Sequence, residues 1–523
     1  MTETLCDSSI AETAESAGVA QASHKVALKS AATIGGSSVA TVLLGIARMK
    51  CVALAIGPLG VGLIGGYTSI VTMISGLTGM GIATSGVREI ADAMGCSDFQ
   101  RAARLATTIR RTSFALGCAG MLAMMALSSK LSQWTFGDRS HIVHLLGLSL
   151  FVFLTTVSAG QLILLKGASR IGDLVRANIM GAVLGTIISI PIIWTWGIAA
   201  IVPFMVMIQL VATAASWWYV RKLPVAPVPL TLRQTAVECI PIIKFGLWIF
   251  VAMIGGSITI YLIRVMLIRS LGTAVAGQYQ ASANLASMYV GFVLAAMGTD
   301  FFPRLTSIST NHPAMTRTIN EQAEVALLLS VPGILAALTL ASVVINVFYS
   351  RDFDQAAGIL RWQVVGDLFR VISWPLGFAI LAKGNGKLNL ITDALSNCVW
   401  LGATWLGIKC FGVKGAGIGY LVLYTFYWGL MVTVVRRMIS FRYTRASTRL
   451  LAIFVPVTVA VLVAVECLPA WLGVSVGCMA TLVVGTYCCN TLAQLVPDSK
   501  PAEVWKRTMT ALRPFRTAAA SLR

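Results

Sequence analysis

Charged side chains are scarce in this chain of 523 residues, where Asp, Glu, Lys and Arg together make up 11%. A soluble domain carries roughly 25% charged residues, and a soluble chain of this length would divide into domains that each need a charged surface. Hydrophobic residues account for 57% of the chain, and the mean hydropathy is +0.82. The composition excludes a soluble enzyme, a disordered chain and a disulfide-rich secreted module. It predicts an all-α, polytopic membrane protein.

Residue patterns that hold metals, nucleotides or redox centres are also missing. The 11 cysteines contain no C-x-x-C pair, and the adjacent Cys488 and Cys489 lie inside an apolar run, as small hydrophobic residues do. Residues 60–65 fit G-x-G-x-x-G but join two apolar runs, whereas a dinucleotide fingerprint follows a strand. Residues 384–387 lack the Walker spacing. The sequence therefore predicts no metal, no cofactor and no catalytic residues, and a protein that is not an enzyme.

Apolar runs of about 20 residues recur along the chain, each long enough to cross roughly 30 Å of hydrocarbon as a helix. They predict about fourteen transmembrane helices. The predicted spans are 31–56, 66–88, 112–129, 145–165, 177–196, 198–219, 245–268, 278–302, 325–348, 359–382, 388–408, 413–435, 450–466 and 472–495.

An internal repeat groups the first twelve spans into two pseudo-symmetric lobes of six helices each. Arg48 matches Arg264, Arg88 matches Arg304, and LLKG at 164–167 matches LAKG at 381–384, all at nearly one offset. Parallel repeats of this kind support rocking between lobes. We predict a disordered cytoplasmic tail (1–27), an N-terminal lobe (28–220), a cytoplasmic linker (221–240), a C-terminal lobe (241–440), two further transmembrane helices (441–496) and a basic cytoplasmic tail (497–523).

The charges that are present are mostly positive, with 40 Lys and Arg against 20 Asp and Glu. They concentrate in alternate connections, such as residues 101–111 and 436–449, and in the two tails. Because cytoplasmic loops of membrane proteins carry excess Lys and Arg, this pattern places both termini in the cytoplasm. It predicts a multi-pass membrane protein and accounts for most of the basic excess without nucleic acid.

A polar stripe on the tenth span is the strongest functional signal. Gln363, Asp367, Arg370 and Trp374 are spaced four, three and four apart, so they share one helix face. A charge at the centre of a span costs about 2.5–3.5 kcal/mol, so it needs a reason to be there. One reason is a polar cavity. The alternative, which the residues leave open, is that Asp367 and Arg370 neutralise each other for helix packing.

Further cations suggest that such a cavity binds phosphate. The spans of the N-terminal lobe carry Arg48 and Lys50 without a buried carboxylate. Guanidinium groups recognise phosphate and diphosphate through paired N–H donors. Arg88 and Arg264 are candidates for the same site, although Arg88 fits equally an anchor at the cytoplasmic surface and Arg264 a side chain that snorkels.

Two other groups of polar residues complete the candidate site. Gln280, Asn284 and Ser287 have helical spacing on the eighth span, which suits either contact with sugar hydroxyls or hydrogen bonds to a neighbouring helix. The acidic residues within reach of the membrane, Asp300, Asp367 and Asp393, lie in the second lobe. They are candidates for coupling transport to protons or cations. We also assign Gln363 and Trp374 to sugar contact.

Two segments resemble a known family. Residues 31–63, with the turn Gly57-Pro58, and residues 361–384, with Trp362-Gln363 and Gly366-Asp367, are similar to Wzx-type flippases of the multidrug/oligosaccharidyl-lipid/polysaccharide exporter superfamily. The closest likeness is to translocases of O-antigen and enterobacterial common antigen. The resemblance implies two six-helix lobes around a cationic cavity for an undecaprenyl-diphosphate-linked glycan. Lys50 and Arg370 match basic positions of the family. The acidic N-terminal tail and the last two helices depart from it.

The leading hypothesis is a flippase that carries a polyprenyl-diphosphate-linked oligosaccharide by alternating access, coupled to an ion. Its partners would be this glycan, membrane lipids, and polysaccharide polymerase and chain-length proteins. A cation-coupled multidrug or organic-cation antiporter of the same superfamily is the alternative. A membrane enzyme of glycan assembly is a third possibility, against which the short outer loops argue.

Overall fold

The computed structural model of the protein describes residues 3–79, 82–96, 98–223 and 228–495. These residues form α-helices joined by short turns, with no strand among them, which confirms the all-α class. The helices are α1 (Glu3–Gly79), α2 (Ile82–Gly95), α3 (Phe99–Thr135), α4 (Ile142–Gly167), α5 (Ile171–Trp196), α6 (Ile201–Val220), α7 (Leu232–Leu271), α8 (Thr273–Ser307), α9 (His312–Thr339), α10 (Ala341–Phe348), α11 (Asp354–Ala382), α12 (Gly386–Phe411), α13 (Gly415–Ile439), α14 (Arg445–Cys467) and α15 (Ala470–Leu495).

Among the described residues, 11 helical segments are long and apolar enough to cross a membrane. The three longest, with 39, 50 and 54 residues, are about twice as long as the roughly 20 residues that one crossing needs, or longer. Each of these three contains a break, at Gly57, at Gly197 and at Gly412. The protein is a multi-pass membrane protein, and the number of fourteen crossings stays a prediction.

Glycine occupies all three breaks for the same reason. The φ angles of Gly57, Gly197 and Gly412 are 61°, 57° and 59°. Residues with a Cβ rarely adopt this left-handed region. Gly197 ends α5 and Gly412 ends α12, and each is followed by a short 3₁₀ turn that leads into the next helix. The same sharp reversal therefore recurs in the two halves of the sequence.

The helices differ from the predicted segments at two places near the lobe boundaries. α1 is helical from Glu3 up to its break at Gly57, whereas residues 1–27 are predicted to be a disordered tail. This stretch is rich in alanine, the strongest helix former, which favours helix over coil. The predicted linker 221–240 is helical from Leu232, where α7 begins. The predicted basic tail 497–523 lies outside the described residues.

The chain divides into two compact units. The first comprises the residues up to Ala55, Ile70–Trp134 and Asp138–Phe250. The second comprises Ile56–Ser69, Thr135–Gly137 and the chain from Val251 onward. The predicted lobes 28–220 and 241–440 stay predictions.

In the first unit, α5 and α6 approach each other closely through small residues. A Cβ at Gly181 would lie 3.0 Å from the Cα of Ala212. α4 packs against both α6 and α2. An apolar cluster that includes Ile109, Leu164 and Val220 joins α3, α4 and α6. This packing holds α4, α5 and α6 in place, and these helices line the cavity that contains Arg48.

In the second unit, α11 packs against α8, α9 and α13, and most of its residues are buried. The two last helices join this unit through polar contacts at both ends of α14. Asn320 and Glu324 of α9 accept hydrogen bonds from the first turn of α14, including one from Ser447 Oγ to Glu324 Oε1 at 2.6 Å. At the opposite end, Glu466 pairs with Arg361 of α11 at 3.1 Å and also with Lys414. The first contacts attach α14 to α9, and the Glu466–Arg361 pair attaches it to α11, the helix that carries the candidate site.

Candidate functional site

The polar stripe of α11 is only partly directed into a cavity. Arg370 and Trp374 line a cavity of about 440 Å³ in the second unit. Asp367 is 0% exposed and Gln363 is 1% exposed, and neither belongs to the lining of that cavity. Both polar atoms of the Gln363 amide are buried without a hydrogen-bond partner in the described part of the chain. The predicted common face therefore divides into an accessible half and a buried half.

Asp367 joins the buried half to the cavity. Its Oδ1 accepts a hydrogen bond from the Tyr420 hydroxyl at 2.9 Å and one from Arg370 Nη1 at 3.4 Å. The Arg370 Nη1 also lies 3.4 Å from the Tyr420 hydroxyl. Because Asp367 is held by α13 as well as by its own helix, it orients the guanidinium that reaches the cavity. The ion pair and the cavity, stated above as alternatives, thus involve the same arginine.

A glycine makes this arrangement possible. A Cβ at residue 366 would lie 2.8 Å from the Tyr420 ring, so only glycine lets the ring approach α11 this closely. The close approach brings the phenol to the carboxylate one residue further along, at Asp367. The adjacent residues Gly366 and Asp367 therefore position Tyr420 together: the glycine leaves room for the ring, and the carboxylate accepts the hydrogen bond of the hydroxyl.

The remaining lining of the 440 Å³ cavity combines aromatic rings with amide and carboxylate groups. α12 contributes Asp393, whose Oδ2 accepts a hydrogen bond from Asn389 Nδ2 at 2.9 Å. The guanidinium of Arg370 lies 5.8 Å from the centre of the Tyr424 ring. The other polar and aromatic lining residues are Ser373, Trp374, Phe378, Ser396, Asn397, Trp400 and Tyr427. Flat rings beside amide groups are suited to contacts with sugar rings and their hydroxyls.

The first unit has a cavity of its own, of about 600 Å³, and Arg48 is its charged lining residue. Asn178 and Gln209 supply amides, and the hydroxyl residues are Thr41, Thr155, Ser158 and Ser216. Arg48 forms no ion pair or hydrogen bond with another described residue. It therefore offers all its N–H donors to a ligand, in contrast to Arg370.

Three other predicted binding residues lie outside these two cavities. Arg264 is 5% exposed, donates from Nη1 to the carbonyl of Ala276 at 2.9 Å, and also pairs with the Gln280 amide oxygen. Lys50 is half-buried, and Arg88 is exposed. Binding of diphosphate by Arg88, Arg264 and Lys50 stays a prediction.

The predicted sugar contacts on α8 are engaged within the protein. Gln280 Nε2 donates to Asn284 Oδ1 at 2.7 Å, and Asn284 Nδ2 donates to the Tyr349 hydroxyl at 3.2 Å. Ser287 bonds to the carbonyl of Ala283 in its own helix at 2.9 Å. Of the acidic candidates for ion coupling, Asp300 is exposed and lies outside the cavity that Asp393 lines. Their roles also stay predictions.

Sequence reasoning missed the tyrosines of α13. Tyr420, Tyr424 and Tyr427 are spaced four and three apart, so they share one helix face, and this spacing is visible in the sequence. Two of them line the cavity, and Tyr420 holds Asp367. Asn389 and Asn397 carry no such signal, because isolated amides are common in membrane helices. In the described residues, no group of three or more His, Cys, Asp and Glu side chains is placed to hold a metal ion.

A comparison with protein families matches residues 53–358 to the polysaccharide biosynthesis protein family. The chain belongs to this family. Among curated proteins, this polysaccharide biosynthesis protein is 21% identical to the lipid III flippase of Escherichia coli K12 over 395 residues, which cover 73% of this chain and 91% of the relative. It is also 21% identical to the lipopolysaccharide biosynthesis protein WzxC of the same organism, over 49% of this chain and 51% of the relative.

Solved structures show the fold of this family member. An inward-facing multidrug resistance MATE transporter of the MOP superfamily superimposes with a TM-score of 0.68 at 15% identity, covering 76% of this chain and 94% of the transporter. The lipid II flippase MurJ in an inward closed conformation superimposes with a TM-score of 0.64 at 12% identity, covering 87% and 98%. The chain therefore has the helical transporter fold that these two proteins share.

Proposed function

We propose that this protein is a flippase that moves a polyprenyl-diphosphate-linked oligosaccharide from the cytoplasmic to the periplasmic leaflet of the bacterial inner membrane. The observation that carries the proposal is the Arg370 guanidinium, held by Asp367 and facing a cavity lined by aromatic and amide side chains. Membership of the polysaccharide biosynthesis family and the likeness to two flippases support it.

The chemistry of the two cavities fits the two parts of such a substrate. Arg48 and Arg370 present planar N–H donors that match phosphate oxygens. Trp374, Tyr424 and Tyr427 present ring faces for sugars. Moving a sugar–diphosphate headgroup through hydrocarbon would otherwise remove water from polar groups at a cost of several kcal/mol each. A polar path lowers this barrier while the polyprenyl chain stays in lipid.

The orientation and the energy source belong to the same proposal. Both termini lie in the cytoplasm, as the distribution of Lys and Arg favours. Asp393 is the strongest candidate for ion coupling, because its carboxylate lines the cavity of Arg370. Asp367 and Asp300 are the further candidates. Polysaccharide polymerase and chain-length proteins are the proposed partners that receive the product.

A cation-coupled antiporter is the second candidate, and one observation favours it. Asp393 shares its cavity with the rings of Trp400, Tyr424 and Tyr427, a combination that also binds organic cations through charge and cation–π contacts. The two functions differ in the residue that they need. Transport of a diphosphate requires Arg370, whereas binding of an organic cation requires Asp393 and would be hindered by Arg370.

The decisive experiment is depletion of the protein in its native host, followed by mass spectrometry of extracted polyprenyl-diphosphate glycans. We expect a complete oligosaccharide to accumulate on the inner leaflet and to clear when the wild-type gene is restored. Complementation with Arg370→Gln should fail. An unchanged lipid–glycan pool, together with ethidium efflux that is lost in Asp393→Asn, would replace the flippase by the antiporter.

A further inference from the structure

Another arginine-lined pocket lies in the first unit, separate from the cavity of Arg48. It has a volume of about 410 Å³ and is formed by α3, α4 and the end of α6. Arg110 and Arg221 are its charged lining residues, and Ser113 and Gln161 add polar groups. Among the described residues, no carboxylate lines it. The pocket is therefore electropositive, and the transport proposal above makes no use of it.

Arg110 and Arg221 differ from Arg101 and Arg111 in having no hydrogen-bond or ion-pair partner for their side chains among the described residues. Arg101, on the same helix as Arg110, pairs with Glu89 at 2.9 Å and with Asp92 at 3.2 Å. Arg111 donates to the carbonyl of Leu230 at 2.5 Å. Within the described part of the chain, Arg110 and Arg221 form no ion pair and no hydrogen bond through their side chains. Arg110 is half-buried, so its charge has lost part of its water without gaining a partner.

Exposed aromatic side chains lie in the lining of the pocket, at Phe114 and Trp217, and beside it, at Trp218. The guanidinium of Arg221 lies 4.5 Å from the centre of the Trp217 ring. Lys222 lies 5.7 Å from the centre of the Trp218 ring. Trp217, Trp218 and Phe114 are each at least half exposed, at 50%, 53% and 56%. Exposed tryptophans beside basic residues are typical of the level where lipid headgroups meet hydrocarbon.

We propose that this pocket binds the phosphate of an anionic phospholipid from the cytoplasmic leaflet. Arg110 and Arg221 would donate to the phosphate, and the lipid's acyl chains would run along Phe114 and Trp217. Basic pockets between transmembrane helices on the cytoplasmic side are suited to such headgroups. The assignment to that leaflet uses the proposed orientation, but binding itself depends neither on orientation nor on transport.

The test measures lipid binding to the purified full-length protein by native mass spectrometry, with phosphatidylglycerol as the probe and phosphatidylcholine as the neutral comparison. We expect phosphatidylglycerol to bind in preference. Arg110→Gln combined with Arg221→Gln should weaken its binding by more than about tenfold, because losing even one charge-assisted hydrogen bond has roughly that effect. A matched control, Arg436→Gln combined with Arg437→Gln, removes two exposed charges at the end of α13 and should leave binding unchanged.

Three results would overturn the proposal. Equal binding of phosphatidylglycerol by the wild type and the double variant would show that the pocket is not the site. Competition by millimolar inorganic phosphate would show a site for free anions rather than lipid. Displacement of phosphatidylglycerol by undecaprenyl diphosphate, with both weakened by the double variant, would make the pocket part of the substrate path. Because Arg221 is exposed and follows the end of α6, Arg221→Gln alone provides the test if the double variant does not fold.

Discussion

The hydroxyl of Tyr420 on α13 donates a hydrogen bond of 2.9 Å to Oδ1 of Asp367 on α11. A carboxylate that is 0% exposed needs partners, and here it has one phenol and one guanidinium. The second oxygen, Oδ2, is buried without a partner in the described residues. The arrangement makes Asp367 a support for Arg370 rather than a group that meets the ligand directly.

Removal of that phenol should loosen the support. We expect Tyr420→Phe to lower the free energy of unfolding by about 1.5–3 kcal/mol, the range for a hydrogen bond to a charged group, and to reduce transport partially. Thermal unfolding in detergent and complementation of the depleted host measure the two effects. Tyr487→Phe on α15 is the control, because its hydroxyl makes no hydrogen bond in the described part of the chain. Equal stability of the two variants would contradict a supporting role for Tyr420.

Arg370 requires a variant pair, since its removal alone leaves a buried carboxylate unpaired. Arg370→Ala should cost about 3–5 kcal/mol of stability. Combining Arg370→Gln with Asp367→Asn removes both charges and should restore much of the stability without restoring transport. Recovery of transport by this double variant would mean that the pair only serves helix packing. Folding is followed by size-exclusion chromatography, and transport by accumulation of the lipid-linked glycan.

Arg48 offers a cleaner test, because it has no carboxylate partner among the described residues. We expect Arg48→Ala to lower transport at least tenfold, the effect of losing about 1.4 kcal/mol of binding to the diphosphate, while expression and thermal stability stay close to wild type. Arg436→Ala removes an exposed arginine of α13 and is the matched control. Full activity of Arg48→Ala would remove the first unit's cavity from the substrate path.

The ion-pair network at the end of α14 should stabilise the attachment of the last two helices. Glu466 is 16% exposed at its side chain and contacts both Arg361 and Lys414. Glu466→Gln should lower the free energy of unfolding by about 1–3 kcal/mol, since the paired cations lose a charged acceptor. Glu321 is 45% exposed at its side chain and forms an ion pair with Arg317. Glu321→Gln should lower the free energy of unfolding by less than about 1 kcal/mol. A larger loss of unfolding free energy for Glu321→Gln than for Glu466→Gln would contradict the expectation that the more buried ion pair contributes more stability.

Close backbone contact makes Gly277 sensitive to the smallest substitution. A Cβ there would overlap the carbonyl oxygen of Pro58 within the second unit. Gly277→Ala should therefore lower the free energy of unfolding by about 1–3 kcal/mol or more. Gly429, in α13, has no atom within 4 Å of its would-be Cβ. Gly429→Ala should be neutral or stabilising, since alanine favours helix. Thermal unfolding of both variants in one detergent makes the comparison, and equal melting temperatures would argue against the contact.

The sequence by itself was sufficient for the fold class. Each helix from α3 to α8 and from α11 to α15 overlaps an apolar run of membrane-spanning length that the sequence predicted, although α3 and α7 extend more than ten residues beyond the predicted start. This works because the bilayer requires every backbone polar group to bond within its own helix, so that local composition decides secondary structure. The helical period also placed Arg370 and Trp374 on one face, and both line one cavity.

Only the tertiary structure decided which polar residues meet a cavity and which meet each other. Gln280 and Asn284 have the spacing of a binding stripe, yet they bond to Arg264 and Tyr349. Asp367 shares a face with Arg370, yet Tyr420 from another helix buries it. Helical periodicity specifies the direction in which a side chain leaves its helix, but not which residue of a neighbouring helix faces it. A buried polar group in a membrane helix is stabilised by a partner on a neighbouring helix, because burial without a hydrogen bond costs free energy, and the sequence of one helix does not show which partner that is.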